Sequence, residues 1–304
     1  MSTAGQVRTW RPSWAAVDLR GTVGSLAHGS GDPTQRFAAG QVWRAGNTPD
    51  GPATLALHVQ AGEVHAQAWG PGAGWTLDGL PDLVGAADDV TGFAPEHPVL
   101  RETWRRHPNL RIPRTRQVLD MLVPAIIEQK VTGAEAHRSW RELCWRYGEP
   151  APGPQVVKLR VPPTAQRLRT LADWDWHRAG VTPQRRQTIR AACQVAARLE
   201  EAVGMARPEA MARLRVVPGI GPWTAAEVAQ RSFGDADAVS VGDYHIPGLV
   251  GWALLGRIIE DEEMLEVLAE YAPHRHRVVR LIELAGIGKP RFGPRMPARD
   301  YRAI

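Results

Sequence analysis

The 304-residue sequence predicts an α+β chain: a small antiparallel β-rich domain over residues 1–100, a mostly helical core over 101–289 and a basic, proline-rich tail over 290–304. Three observations predict it. Apolar and polar residues alternate between glycine and proline turns within the first hundred residues. Beyond residue 100 the apolar period lengthens to that of a helix. The hydrophobic fraction, 43%, suffices for substantial cores in a chain long enough for two domains.

The elements follow in order. Residues 42–44 precede the turn-like Asn47-Thr48-Pro49-Asp50-Gly51. Residues 54–59 and 64–69 alternate around Ala61-Gly62, which predicts a hairpin within a small sheet. Val118, Leu119, Leu122, Val123, Ile126 and Ile127 form one helical stripe, and Trp140, Leu143, Cys144 and Tyr147 a second. Residues 148–163 form a loop-rich joint. Thr182-Pro183 opens a helix carrying Ile189, Ala192, Val195, Ala196 and Leu199 on one side. Arg185, Arg186 and Arg190 on it read as a solvated face, with phosphate contact as the alternative. A short helix follows over about 208–214. Ala285-Gly286-Ile287-Gly288-Lys289 reads as a turn, because no second helix follows it.

Composition narrows the function classes. The net charge is +5, and three lysines (Lys130, Lys158 and Lys289) stand against 34 arginines. Arginine favours phosphate and base contacts, although codon bias gives the same pattern. Two cysteines, Cys144 and Cys193, without a CxxC pair argue against a disulfide framework, a zinc site or an iron–sulfur cluster. No signal-length or membrane-spanning apolar run occurs, so a soluble cytoplasmic protein is expected, nucleoid-associated if bacterial, and without a membrane partner.

The chemistry concentrates in residues 214–229. Val217-Pro218-Gly219-Ile220-Gly221-Pro222-Trp223-Thr224-Ala225 reads as helix, tight turn, helix. Gly219 and Gly221 permit angles closed to other residues, and Pro222 suits a first helical turn. Such a turn can bring N–H groups to a phosphate, a contact that positions without reading sequence. A dinucleotide turn fits poorly, because a helix precedes Gly219 and Thr224 stands where the third glycine belongs. The glycines alone leave an ordinary helical corner open.

The segment Val239-Ser240-Val241-Gly242-Asp243-Tyr244-His245, about twenty residues on, pairs with that turn in order and spacing. Together they resemble the helix–hairpin–helix DNA glycosylase superfamily. Ala125-Ile126-Ile127-Glu128-Gln129-Lys130-Val131-Thr132 is similar to its helix ending in a Gln-containing loop that enters the duplex. Tyr271-Ala272-Pro273-His274-Arg275 is similar to its late aromatic-x-Pro-x-Arg element. The first hundred residues look like the extra domain of its alkylpurine (3-methyladenine glycosylase II-like) branch.

The resemblance implies a catalytic carboxylate at Asp243, although an aspartate there also suits a helix cap. It implies a base pocket with Trp223, Tyr244 and Glu227, and DNA contacts from Gln129, Lys130, Thr132, Gly219, Ile220, Gly221, Thr224 and Arg275. It implies no cofactor and no catalytic metal, with the carbonyls of Val217, Gly219 and Ile220 able to hold a monovalent K+ or Na+. Lyase members carry a lysine just after the hairpin; Trp223 stands there, so a monofunctional hydrolase is expected. The sequence departs from the alkylpurine pattern in three places. Glu227 replaces an aromatic residue, residues 278–283 lack the second pocket aromatic, and Lys130 stands at the wedge position, where its methylenes can fill a gap.

The expected activity is hydrolysis of the N-glycosidic bond of alkylated purines in damaged double-stranded DNA by a monomer. The alternatives are a glycosylase for deaminated or oxidised bases, a lyase acting through Lys130, and a DNA-binding protein without catalysis.

Overall fold

A computed structural model describes residues 5–154 and 156–288; the tail over 290–304 and Lys289 lie outside the described residues. Five strands come first: β1 (Gln6–Trp10), β2 (Gln35–Ala38), β3 (Gln41–Thr48), β4 (Gly51–Gln60) and β5 (Glu63–Trp69). They form one antiparallel sheet in the order β1-β5-β4-β3-β2. The predicted hairpin is β4–β5. Its two turn residues, Ala61 and Gly62, both have positive φ (49° and 77°), the turn that matches strand twist.

Helices take over at Ala73: α1 (Ala73–Asp78), α2 (Leu80–Leu83), α3 (Pro98–Arg106), α4 (Val118–Glu128) and α5 (Gly133–Tyr147). The joint then holds a two-stranded pair, β6 (Glu149–Pro150) and β7 (Arg160–Val161). The remaining helices are α6 (Ala165–Thr170), α7 (Asp173–Arg178), α8 (Pro183–Gln194), α9 (Ala196–Glu200), α10 (Arg207–Arg215), α11 (Pro222–Val228), α12 (Ile246–Leu255), α13 (Asp261–Ala269) and α14 (Arg275–Ala285). A single π-helical turn, Ala229–Phe233, continues α11. Helix α14 ends in a left-handed Gly286, so the second Gly-x-Gly is a turn, as the sequence predicts.

Helix α4 is the axis of the molecule. Its residues Val118 to Ile127 are all buried, and Leu122, Ile126 and Ile127 pack against Trp140, Ile189 and Ala225 in the main helical core. Its first N–H groups are satisfied by the carboxylate of Glu200 on α9, which accepts from Val118 at 2.9 Å and Leu119 at 2.8 Å. That places negative charge at the positive end of the helix dipole. Met121 joins the core of the sheet instead. Beside it the buried Asp120 accepts from the Asn47 backbone N–H at 2.8 Å and side-chain amide at 3.1 Å. Sheet and helices are thus fixed to each other through α4. A third core joins α3 to α12, α13 and α14.

The α8 arginines correct the expectation of a solvated face. Arg185 is buried and donates to the Ile127 carbonyl at 2.7 Å and the Thr182 hydroxyl at 3.1 Å. Arg186 and Arg190 both bridge Asp173, at 2.9 and 3.0 Å. Their charge holds α7 against α8. Among the described residues no helix is long and apolar enough to cross a membrane.

Candidate active site

The turn between α10 and α11 is anchored by the two residues its sequence makes apolar. Val217 and Ile220 are 4% and 5% exposed and point into the helical core, while Pro218 and Gly219 form an exposed tip. Gly219 has φ +89°, and a Cβ there would lie 2.2 Å from the Thr188 hydroxyl on α8. Both the angle and the space require glycine. Gly221 begins α11, and open space surrounds the position where its side chain would be, so the backbone can be approached there.

Gln129 closes this turn from the other side. Its amide donates to the Gly219 carbonyl at 3.0 Å and to the Thr224 hydroxyl at 2.8 Å. The expectation that its side chain, and that of Thr224, meet DNA is therefore corrected. Gln129 binds the α4–α5 loop to the hairpin, and Thr224, 2% exposed, is its buried partner. Thr132 is likewise absorbed locally, in a capping box with Glu135 at the start of α5. Lys130 does project: it is exposed at the loop tip with φ +55°. Two of the carbonyls considered for a cation already accept hydrogen bonds, Val217 from Ile220 and Gly219 from Gln129.

Asp243 is brought to the hairpin by the segment before α12. Gly242, with φ +90°, turns the chain, and its N–H donates to both carboxylate oxygens of Asp261, at 3.1 and 3.0 Å. Asp243 then uses both its own oxygens. Oδ1 accepts from the backbone N–H groups of His245 (2.7 Å) and Ile246 (3.0 Å), which caps α12. Oδ2 accepts from the Trp223 indole N–H at 2.9 Å. Trp223 and Asp243 are both half-buried, so the ring edge and the carboxylate meet at the surface beside the hairpin. Cap and candidate catalyst coexist in one side chain.

Three expected site residues lie elsewhere. Tyr244 is 81% exposed, edge-on to His245, and stands at the rim rather than in a pocket. Glu227 is buried with both oxygens engaged, by Arg231 Nη1 at 2.7 Å and the Ser240 hydroxyl at 2.5 Å, so it is no free acceptor for a base. Arg275 is held by Asp237, Nη2 to Oδ2 at 2.6 Å and Nε to Oδ1 at 2.9 Å, and ties α14 to the loop that carries Asp243. Burial pushes the Asp237 carboxyl up, but the Arg275 hydrogen bonds with the Arg275 and Arg207 charges outweigh it and leave it below its ordinary value.

Sequence reasoning missed Asp261, which reads as an ordinary acidic first turn in Asp261-Glu262-Glu263. It also missed Arg231, whose only signal is its place eight residues after Trp223 on one helical stripe.

No family model matches the chain. It is similar to "Probable bifunctional transcriptional activator/DNA repair enzyme AlkA" from two strains of Mycobacterium tuberculosis, 31% identical over 168 residues, which is 54% of this chain. The chain spans about a third of the length of these curated relatives, 33%. Among solved structures it is similar to a 3-methyladenine DNA-glycosylase from Archaeoglobus fulgidus, with a TM-score of 0.78 and 16% identity over 92% of this chain and 98% of that one. The structure of MBOgg1 in complex with a low-affinity DNA ligand is similar with a TM-score of 0.72 and 16% identity, over 93% of this chain and 98% of that one. An 8-oxoguanine glycosylase/lyase from Clostridium acetobutylicum, bound to DNA, has a TM-score of 0.69 and 10% identity, over 92% and 96%. At these identities the likeness is one of fold, and the α+β architecture is the one these structures share.

Proposed function

We propose that this chain is a monofunctional DNA glycosylase that hydrolyses the N-glycosidic bond of alkylated purines in duplex DNA. The observation that carries the reading is the Trp223–Asp243 pair beside the hairpin. A half-buried indole offers its face to an extruded base while its N–H fixes the carboxylate. Aromatic faces attract cationic bases, which N-alkylation creates. The relatives reported above, a DNA repair enzyme and a 3-methyladenine DNA-glycosylase, support it.

The chemistry follows from the geometry. The target nucleotide leaves the stack for the surface beside Trp223 and Asp243, and the exposed Lys130 loop tip takes the space it vacates. The C1′–N bond breaks with its electron pair going to the base. A cationic alkylated purine departs neutral, so no general acid is needed. Positive charge develops on the sugar as in other glycoside cleavage. The Asp243 carboxylate, with Oδ1 held by two backbone N–H groups and Oδ2 by Trp223, is fixed in place to stabilise it. Water adds at C1′, and its proton passes to Asp243 and on to solvent. Gly219, Ile220 and Gly221 meet the phosphate backbone from the hairpin, with a monovalent cation at the carbonyls as part of the same proposal.

The absence of a lysine directly after the hairpin supports hydrolysis over a lyase step. Trp223 occupies the position after the hairpin, and of the lysines among the described residues Lys158 lies in the joint and Lys130 on the wedge loop. The test is chromatography of the ethanol-soluble products of dimethyl-sulfate-treated duplex DNA after incubation with the protein. Free methylpurine with an intact abasic strand is expected. Tight DNA binding without release of any base overturns the reading.

A further inference from the structure

Trp223, Glu227 and Arg231 recur every fourth residue along α11 and its π-helical continuation, so they share one stripe. The stripe starts at Asp243. Trp223 bonds that carboxylate, and Glu227 bonds Ser240, whose carbonyl accepts the Asp243 N–H at 3.2 Å. Its inner end is cationic. Among the described residues the Arg231 guanidinium bonds through Nη1 alone, which donates to the Glu227 carbonyl at 3.0 Å, to Glu227 Oε2 at 2.7 Å and to Gln230 Oε1 at 3.5 Å. Nε is buried without a partner, and the side chain keeps 23% of its surface exposed. The donor left to a ligand is Nη2, which has no hydrogen bond among the described residues and is not buried.

A carboxylate stands near it. Glu128 ends α4, directly before Gln129, whose amide is bonded to Thr224 beside Trp223. Its Oε1 is engaged by His28 Nδ1 at 3.2 Å. Burial pushes the Glu128 carboxyl up, but the His28 hydrogen bond and the charges of His28, Arg231 and His137 prevail and hold it below its ordinary value. The charge of Arg231 is in turn felt by Glu227, Glu128 and Glu283, and Glu283 pairs with Arg280. Where an aromatic sandwich would take any flat cation, this wall carries a donor and an acceptor.

We propose that Arg231 and Glu128 read the edge of the extruded base and select N-alkylated guanine over N-alkylated adenine. The proposal rests on the glycosylase reading above. Guanine offers a carbonyl oxygen, O6, beside the donors N1–H and the N2 amino group. Arg231 donates to the first, and Glu128 accepts from the others. Adenine reverses the pattern: its amino group would face the guanidinium and its N1 lone pair the carboxylate. A pocket built for one pattern leaves its charged groups unpaired on the other, which is the strong form of discrimination. Glu227 is a positioning residue, because it orients Arg231 and touches no base.

The test uses duplex DNA carrying both 7-methylguanine and 3-methyladenine from dimethyl sulfate. Enzymatic release of each base is normalised to its spontaneous release. The wild-type protein is expected to prefer 7-methylguanine. R231M and E128Q are each expected to lower that preference on the order of tenfold or more, the scale of one hydrogen bond to a charged group. Circular dichroism verifies the fold of both variants, and the near-isosteric E128Q decides if R231M does not fold. A wild-type preference for 3-methyladenine, or a ratio unchanged in the folded variants while release continues, overturns the selectivity and leaves the glycosylase reading standing. Release of neither base by the wild type overturns both.

Discussion

The indole N–H of Trp223 and Oδ2 of Asp243 meet at 2.9 Å across twenty residues of sequence. Indole ring and carboxylate are therefore one unit, and on the proposed mechanism disturbing the ring disturbs the carboxylate that stabilises the sugar cation. Trp223→Phe keeps an aromatic face but removes the donor. Single-turnover excision is expected to fall roughly 10- to 100-fold, the scale of one hydrogen bond to a charged group. DNA affinity should change little, because the hairpin is untouched. A full-rate Trp223→Phe variant would show that the bond has no catalytic role.

Gly219 combines φ +89° with a Cβ position 2.2 Å from the Thr188 hydroxyl. Gly219→Ala is expected to cost about 2–5 kcal/mol of stability, from backbone strain and overpacking together. Urea unfolding measures it. Thr188→Gly should relieve the packing part in the Gly219→Ala background and leave the strain.

Acid should loosen α14 from the Asp243 loop. The folded Asp237 carboxyl lies below its ordinary value of 3.8, because the Arg275 and Arg207 interactions outweigh burial. A lowered folded value contributes stability that is present above 3.8 and lost as pH falls through the folded value. Asp237→Asn should lower stability at neutral pH and flatten its decline below pH about 4. An unchanged acid limb in the variant would rule this pair out as its source.

The hairpin, the turn that carries Asp243 and the α4–α5 loop are legible in the sequence because glycine, proline and aspartate carry backbone meaning within a few residues. The β4–β5 hairpin and α4 are legible from periodicity for the same local reason. What was not legible is long-range pairing. Nothing near Arg275 shows that Asp237 will hold it, and nothing near Glu227 shows that Ser240 and Arg231 will occupy both its oxygens. Gln129 has the composition of a DNA-facing loop residue, yet its amide satisfies the hairpin carbonyl that Gly219 leaves exposed. The α8 arginines misled for a similar reason: a buried guanidinium is marked by its acceptors, here the Ile127 carbonyl and Asp173, which lie in other elements.

Lysine chemistry supplies a separate check. Lys130 is exposed at the tip of the α4–α5 loop, and Trp223 fills the position after the hairpin. Borohydride added during turnover on methylated DNA should trap no covalent protein–DNA adduct. An adduct that disappears in Lys130→Ala would establish a Schiff base at that residue and replace hydrolysis by a lyase mechanism.

The most direct test compares single-turnover release of methylpurine by the wild type and Asp243→Asn. Asparagine retains an acceptor for the His245 and Ile246 N–H groups, so the α12 cap and the fold should survive while the negative charge is lost. Release is expected to fall on the order of a hundredfold or more with DNA binding retained. Release at the wild-type rate by a folded Asp243→Asn protein would contradict the assignment of Asp243 as the catalytic carboxylate.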